Sequence, residues 1–361
     1  MGGRLIFKVF DEDTVKDELI GSIHIEIKDI IGDKNGKFDW KNIYGAPMGV
    51  SGKNSDLMNA NPEVASFWKG RILMQCIAEE TEKPLLLVKQ LEDDEIQQGR
   101  LLLRPRKYAV SFFVAGALAM PENDKEYEVS LRIADKEWNT GLPTLKKPKF
   151  NRFNVKPTET DGEFIAPYYN IQDIGTVILY LKFKGKIGKE KRICYKRLDI
   201  MEFLNPNPEL RWLELDPDLA IGEVKDHFKA GVVGIKLSIH DIENDGPINW
   251  LNFPQWSKRI PKRPPNLKVR VFCWQARDLP AADDTGSSDP FIQITDCDRS
   301  QKTQVIWDNV NPLFYEGLDA IYEANSQEEL PPVIIDLYDK DEAVIGADGE
   351  DFLARALIYI D

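Results

Sequence analysis

The chain has 361 residues, more than one ordinary domain, and 42% of them are hydrophobic, which is ample for packed cores. Its 47 basic and 60 acidic residues give a net charge of −13, which argues against a nucleic-acid partner and against permanent attachment to an anionic membrane. No run approaches the roughly 18 apolar residues that span a bilayer, and no signal-peptide pattern is present. The four cysteines lack CxxC spacing, as is typical of a reducing compartment.

The chain begins with an alternating apolar pattern at residues 4–10, followed by Asp11, Glu12 and Asp13 and then by Glu18. The same pattern returns at residues 333–341 with an offset of 328 residues, so that Asp11 corresponds to Asp339 and Asp13 to Asp341. The sequence therefore predicts an internal repeat in which a strand leads into an acidic loop. Asp11, Asp13 and Glu18 are weaker candidates for metal ligands in the first copy.

Four further segments follow before the middle of the chain. Residues 22–27 and 68–75 read as strands, and the polar segment between residues 47 and 68, rich in Asn, Gly and Ser, is predicted to be a loop. Residues 79–106 form a connector, acidic first and then basic, whose apolar patches do not distinguish a helix from a strand by their period.

Residues 107–245 are predicted to form a separate β-domain. Short strands are expected at residues 108–114, 127–133, 176–183, 192–197 and 233–239. Strands of this length and spacing favour a sandwich. The acidic residues near its end, Asp241, Glu243 and Asp245, are interpreted as a solvated turn. A basic, proline-containing linker at residues 246–265 marks the next boundary.

Residues 266–361 carry acidic side chains on two loops. A strand at residues 267–273 precedes the first acidic loop, and a strand at residues 333–338 leads into the second. Calcium takes about 6–8 oxygen ligands, and a cluster of carboxylates repels itself without a cation. The alternative is that these residues simply form turns. The sequence therefore predicts a calcium site formed by aspartates of these two loops.

Several motifs in this last region resemble a C2 domain of ferlins. They are residues 274–279 (WQARDL), 288–291 (SDPF), 300–303 (SQKT), 311–312 (NP) and 337–339 (LYD). Residues 106–108 (RKY) and 195–197 (YKR) resemble the ferlin B region. The resemblance implies an all-β chain of tandem C2-type antiparallel β-sandwiches joined by linkers. It also implies five calcium ligands, Asp283, Asp289, Asp339, Asp341 and Asp351. Ala354 departs from the glycine that the family usually has after the second loop.

The resemblance also implies how the chain divides. Residues 1–78 are expected to be the C-terminal part of a C2 domain with its closing strand, and residues 266–361 a C2 domain that lacks its last strand. The chain is then a portion of a larger protein.

The function that the resemblance implies is calcium-dependent binding of anionic phospholipid in the docking or fusion of vesicles, as in exocytosis, at the cytoplasmic face of a membrane. Fusion-machinery or cytoskeletal proteins are the further partners expected. Val344 and Ile345 are predicted to contact the membrane, with packing onto the sandwich as the alternative. A calcium-insensitive scaffold for protein contacts is the rival function. An enzyme is not expected, because no G-x-S-x-G, P-loop or kinase motif is present.

Overall fold

The structure is a computed structural model of the whole chain. It describes residues 3–12, 17–31, 36, 38–78, 106–121, 127–139, 153–154, 163–166, 174–184, 190–204, 209–221, 228–242, 266–282, 286–295, 300–323, 330–341 and 349–360. The connector before Arg106 and the linker 246–265 lie outside these residues. Glu243 and Asp245 also lie outside them.

The N-terminal module, residues 3–78, is a four-stranded antiparallel sheet with the order β1-β2-β3-β4. Its elements are β1 (Arg4–Asp11), β2 (Glu18–Glu26), α1 (Ile27–Ile31), β3 (Phe38–Gly45), α2 (Lys53–Ala60) and β4 (Phe67–Gln75). Two predictions are wrong here. Ile27 starts a helix instead of ending a strand, and the polar segment predicted as a loop contains α2.

Tertiary contacts explain why α2 forms in so polar a segment. Met58 is fully buried, and the Asn59 side-chain oxygen accepts a hydrogen bond from the Ala46 amide at 2.8 Å. The Asn59 carbonyl accepts another from the Ser22 hydroxyl at 2.9 Å. Packing rather than intrinsic propensity therefore stabilises this short helix.

The middle module, residues 106–242, is a sandwich of two sheets, as predicted. One sheet has the order β13-β11-β10-β6-β7, and the other has the order β12-β14-β5-β8 with β9 also paired to β5. The strands are β5 (Arg106–Leu118), β6 (Tyr127–Ile133), β7 (Lys136–Asn139), β8 (Phe153–Asn154), β9 (Glu163–Ala166), β10 (Thr176–Lys184), β11 (Glu190–Asp199), β12 (Arg211–Glu214), β13 (Asp216–Pro217) and β14 (Val232–Asp241). Short 3-10 helices occur at Ile200–Phe203 and Leu219–Ile221.

The C-terminal module, residues 266–360, is a second sandwich. Its strands are β15 (Asn266–Gln275), β16 (Pro290–Thr295), β17 (Ser300–Lys302), β18 (Leu313–Glu323), β19 (Val333–Lys340) and β20 (Glu350–Ile358). The pair β15-β18 faces a sheet with the order β17-β16-β19-β20. Apolar side chains of both sheets, among them Cys273, Ile294, Phe314, Leu318 and Val333, form the core. The prediction of an all-β chain of antiparallel sandwiches is confirmed.

The predicted repeat is visible in the strand register as well as in the sequence. Asp11 lies opposite Glu18 in the β1-β2 pair, and Asp339 lies opposite Asp351 in the β19-β20 pair. Both pairs carry a register shift at the corresponding point, between Val9 and Phe10 in β1 and between residues 337 and 338 in β19. The two copies therefore share a backbone irregularity that their side-chain pattern alone does not reveal.

Strand β10 is buried on both faces because the N-terminal module packs on the outside of the middle sandwich. Leu179 and Leu181 belong to the sandwich core, whereas Ile178 and Tyr180 contact Tyr44 and other residues of the N-terminal module. The Tyr180 hydroxyl donates a hydrogen bond to the Ser66 carbonyl at 2.7 Å. The Ser66 hydroxyl in turn donates to the buried Asp218 carboxylate at 2.7 Å.

The C-terminal module packs on the opposite side of the middle sandwich. Ile334 and Leu357, on the outer face of the β19-β20 pair, contact Leu118, Trp212 and Val232. In the described parts of the chain, the middle sandwich therefore lies between the other two modules. One module covers the outer face of each of its two sheets.

An ion-pair network is buried at this second boundary. The Arg355 guanidinium donates from Nε to Asp336 Oδ1 at 2.7 Å and from Nη2 to Asp336 Oδ2 at 3.1 Å. Its Nη1 donates to the Ala230 carbonyl of the middle module. The side chains of Arg355 and Asp336 are only 2% and 0% exposed. Lys229 Nζ lies 3.6 Å from Asp336 Oδ2 and donates to the Tyr338 hydroxyl at 2.8 Å.

Candidate functional site

Four of the five predicted calcium ligands lie at one end of the four-stranded sheet of the C-terminal module. Asp289 directly precedes β16, whose first residue, Pro290, is opposite Asp339 on β19. Asp339 is in turn opposite Asp351 on β20. Asp341 follows β19 by one residue, and its amide donates to the Gly349 carbonyl at 2.8 Å. These four aspartates, 289, 339, 341 and 351, are called the acidic edge below.

Hydrogen bonds from the backbone hold the acidic edge in place. The Asp289 amide donates to Asp339 Oδ1 at 2.5 Å, and the Lys340 amide donates to the Asp289 carbonyl at 3.0 Å. Asp289 Oδ1 accepts a further hydrogen bond from the Asp308 amide at 2.7 Å. Because these donors are backbone groups of paired strands and a short turn, they orient the carboxylates of Asp289 and Asp339.

Three aspartates of the acidic edge have no ion pair with a described basic side chain. Among the described residues, no lysine or arginine forms an ion pair with Asp289, Asp341 or Asp351. Like charges that face each other directly across an antiparallel pair destabilise it, and Asp339 and Asp351 occupy such positions. A bound cation would relieve this repulsion, and carboxylate oxygens are the ligands that calcium prefers. These side chains are thus of the type that calcium takes as ligands, and calcium binding at the acidic edge stays a prediction.

Glu350 contrasts with its neighbour Asp351. Its carboxylate accepts from Lys302 Nζ at 2.7 Å and lies 3.4 Å from Lys340 Nζ. Burial opposes ionisation of Glu350, but the hydrogen bonds and charges of the two lysines outweigh burial and hold its pKa below the usual value. Lys302 and Lys340 thus both compensate the charge of Glu350.

The remaining parts of the predicted site lie outside the described residues. They are Asp283 of the first loop and the second-loop residues Val344 and Ile345. Within the described part of the chain, no three His, Cys, Asp or Glu side chains form a metal-binding group. The complete five-aspartate set and the membrane contact of Val344 and Ile345 therefore stay predictions.

The first loop is nevertheless anchored on both sides of Asp283. The buried Ser288 hydroxyl accepts from the Ala282 amide at 3.0 Å and donates to the Pro280 carbonyl at 2.8 Å. Ser288 therefore holds the described parts of the loop against the start of β16. The serine of the 288–291 motif thus stabilises the first acidic loop through two hydrogen bonds.

Aromatic rings lie beneath the acidic edge and connect it to the middle module. Phe291 stacks on Tyr338 with ring centroids 5.3 Å apart and an interplanar angle of 11°. Phe352 contacts Tyr338 edge-on at 5.8 Å. Burial raises the pKa of the Tyr338 hydroxyl, the group to which Lys229 of the middle module donates. These ring contacts thus connect the residues close to Asp289 and Asp339 to the boundary with the middle module.

Sequence reasoning missed the turn at residues 306–310. Asp308 has a positive φ of 51°, a backbone conformation that Asp and Asn adopt more readily than most residues. Its carboxylate accepts from the Ser287 hydroxyl at 3.1 Å, and its amide donates to Asp289. The dipeptide Asp308-Asn309 was the available signal for a turn.

In the first copy, the structure brings Asp11 and Glu18 together. They are paired across β1 and β2, and both are exposed. Asp13 lies outside the described residues. The same geometry of opposed acids therefore occurs twice in the chain. No helix in the described ranges is long and apolar enough to cross a membrane.

Comparison with known proteins supports the repeat. The C2 domain family model matches residues 1–43 and 267–361, the two segments that contain the copies. Mouse (Mus musculus) myoferlin is 30% identical over 95 residues, which are 25% of this chain and 4% of that protein. Fer-1-like protein 4 from Mus musculus is 34% identical over 86 residues, which are 23% of this chain and 4% of that protein. The matched part is thus a small fraction of each relative.

Solved C2 structures are also similar in part. The calcium-bound pair of C2 domains of Extended-Synaptotagmin 2 covers 71% of this chain and 85% of that chain, at 12% identity and a TM-score of 0.26. A single C2 domain of plant Extended Synaptotagmin 1 covers 38% of this chain and 97% of that chain, at 14% identity and a TM-score of 0.29. Scores this low do not establish a shared arrangement, so the assignment rests on the family model and the ferlin matches. The chain thus carries C2 domain sequence at both ends and is similar to ferlins over about a quarter of its length.

Proposed function

We propose that this chain binds anionic phospholipid in a calcium-dependent manner through the acidic edge of its C-terminal module. The observation that carries the proposal is the convergence of Asp289, Asp339 and Asp351 at one sheet end, with Asp339 directly opposite Asp351. The C2 family match over residues 267–361 supports the same reading. In the cell, this binding would serve the docking or fusion of membranes at their cytoplasmic face.

The residues of the acidic edge would act by holding charge in a fixed geometry. Calcium, when bound, supplies positive charge and open coordination positions that lipid phosphate oxygens can fill. Asp289 and Asp339 each commit one oxygen to a backbone amide, so their orientation is set in advance. Without a cation, the same carboxylates would repel an anionic surface, which makes the interaction conditional.

The test is co-sedimentation of the full chain with vesicles of phosphatidylserine and phosphatidylcholine, in calcium and in chelator. Wild type should bind in calcium and be released by chelator. The double variant Asp339→Asn/Asp341→Asn should lose calcium-dependent binding. It should stay folded, because the Asn oxygen at position 339 can still accept the Asp289 amide.

A control variant with the same change of net charge is Glu316→Gln/Asp319→Asn. Both residues lie on β18, in the other sheet of the same module. The Glu316 oxygen accepts from the Gln304 amide, and the Gln oxygen can do the same. This control should bind vesicles like wild type. Equal loss in both variants would show that only net charge matters and would contradict a site at the acidic edge.

A calcium-insensitive scaffold is the second candidate, and one observation favours it. The described parts of the three modules pack directly on one another, through the Ser66-Asp218 and Arg355-Ala230 contacts. A rigid stack of this kind could present surfaces to fusion-machinery or cytoskeletal proteins without a cation. Vesicle binding that is absent in calcium, together with no calcium-dependent rise in melting temperature, would favour the scaffold.

A further inference from the structure

Trp307 is an exposed aromatic side chain at the acidic edge that none of the predicted roles explains. The residue is 63% exposed and lies in the turn between β17 and β18. Its two neighbours in the chain differ in burial and charge. Ile306 packs against the module core, and Asp308 is exposed and acidic. The indole therefore projects from a turn that is itself anchored.

Hydrogen bonds tie this turn to the residues around Asp289. The Ile306 amide donates to the Pro290 carbonyl at 3.0 Å, and the Asn309 amide donates to the Ser288 carbonyl at 2.7 Å. Between them, the Asp308 amide donates to Asp289 Oδ1 at 2.7 Å. Residues on either side of Trp307 are thus bonded to the segment that carries a predicted calcium ligand. The backbone at Trp307 is thereby held close to Asp289.

We propose that Trp307 contacts phospholipid, entering the headgroup region of a bilayer when calcium has neutralised the acidic edge. This inference rests on the proposed function and adds a residue from a third segment, distinct from the two acidic loops. Tryptophan suits such a position because its ring is apolar and its N–H is polar, and the residue is enriched at membrane interfaces. The carboxylates next to it make the contact unfavourable until a cation is present.

The surroundings of Trp307 favour a lipid over a protein partner. Aromatic hot spots in protein interfaces are surrounded by contacts that exclude water. Trp307 is flanked instead by the exposed Asp308, and Asp289 is bonded to that residue. A single indole among charged groups is an arrangement that a headgroup layer accommodates, because polar and apolar groups mix there.

The chain offers a matched control in Trp274. It is 62% exposed and lies in the same module, on β15. Its ring stacks on Phe272 with centroids 6.3 Å apart and meets Tyr315 edge-on at 6.0 Å. None of these three aromatic residues is hydrogen-bonded to the acidic edge in the described structure. The two tryptophans therefore match in type and exposure, but Trp274 contacts other aromatic rings and lies on β15, outside the turn that is bonded to Asp289.

The experiment compares Trp307→Ala and Trp274→Ala in the full chain, using vesicles of phosphatidylserine and phosphatidylcholine in calcium. Trp307→Ala should weaken vesicle binding at least tenfold, since withdrawing an indole from an apolar environment costs more than the ~1.4 kcal/mol of one decade. Trp274→Ala should change it less than about twofold. Calcium binding without lipid, followed by calorimetry, should be unchanged in both variants.

Other outcomes would overturn the inference. Equal vesicle binding by Trp307→Ala and wild type would refute a lipid contact and would favour a protein contact for the indole. Equal weakening by both variants would assign the effect to exposed aromatic surface in general. If wild type binds calcium but no vesicles, the proposed function fails together with the inference. If wild type binds vesicles and Trp307→Ala binds them equally well, the inference fails alone. Brominated lipid gives an independent readout, because it should quench the fluorescence of wild type more than that of Trp307→Phe.

Discussion

Replacing Arg355 by Met should destabilise the chain strongly, because it removes one member of a buried ion pair. The Arg355 side chain is 2% exposed, and its partner Asp336 is 0% exposed. The variant keeps an unbranched apolar stem but removes the three hydrogen bonds that the guanidinium donates to Asp336 and to the Ala230 carbonyl. Asp336 would then be left with Lys229 Nζ at 3.6 Å as its nearby cation.

The expected size follows from burial. Removing one partner of a buried pair costs about 3–5 kcal/mol, because the other charge stays buried and uncompensated. Exposed pairs contribute about 0–1 kcal/mol. Glu214 adds to the cost, since burial already raises its pKa and Arg355, at 3.6 Å, is the charge that most opposes this rise. We therefore expect a loss of about 3–5 kcal/mol in the free energy of unfolding.

Denaturant unfolding of the full chain, followed by tryptophan fluorescence, measures this loss. The control is Arg270→Met, which removes a similar two-bond pair with Asp319 at 2.6 and 3.0 Å on the surface, where Arg270 is 51% exposed. It should cost at most about 1 kcal/mol. The double variant Asp336→Leu/Arg355→Met should cost less than Arg355→Met, since the fully buried carboxylate is removed and the partly exposed Lys229 keeps the Tyr338 hydroxyl as a partner. Equal losses for Arg355→Met and Arg270→Met, or a double variant as unstable as the single one, would refute the reasoning.

Three further predictions concern the N-terminal and middle modules. Gly45→Ala should lower the free energy of unfolding by about 1–3 kcal/mol, since a Cβ there would lie 2.5 Å from Asn59 Oδ1 and 2.6 Å from the Ile20 carbonyl. Burial raises the pKa of Asp218, so its ionisation costs stability as pH rises through that pKa; Asp218→Asn should flatten this loss in urea unfolding measured from pH 4 to 8. Burial raises the pKa of the Cys194 thiol to about 12, so iodoacetamide at pH 8 should label Cys76 and spare Cys194 in native protein, as read by mass spectrometry.

Much of the fold follows from local pattern. Alternation of apolar and polar residues predicts strand β6 at its observed bounds and strands β15 and β19 close to theirs. Such alternation arises because one face of a short strand lies against a core. Local pattern does not predict helix α2, because tertiary hydrogen bonds to Asn59 stabilise it. Composition does not reveal such hydrogen bonds.

The stacking of the modules is harder to foresee. Strand β19 has apolar residues on both faces, interrupted by Asp336, and such a pattern is typical of a strand covered on both sides. The sequence does not show that Arg355, 19 residues later, and Lys229 of another module would meet that carboxylate. Long-range pairing of this kind depends on how two separately folded surfaces dock.

The acidic edge is predictable in part. The spacing of Asp339, Asp341 and Asp351 around a strand end indicates one loop cluster, and in the register Asp339 and Asp351 are opposite each other. The contribution of residues 306–310 is not predictable, because Asp308 meets Asp289 through a backbone amide, which any residue except proline carries. Side-chain type predicts which residues can bind a cation. It does not predict which backbone amides hold those side chains in position.

The most direct test of the central claim is a calorimetric titration of the full chain with calcium, compared between wild type and Asp339→Asn/Asp341→Asn. The account predicts a saturable heat of binding in wild type that the double variant lacks, while the control Glu316→Gln/Asp319→Asn retains it. Wild type that takes up no calcium at millimolar concentration, or a double variant that binds calcium as wild type does, would contradict the assignment of the acidic edge as a calcium site.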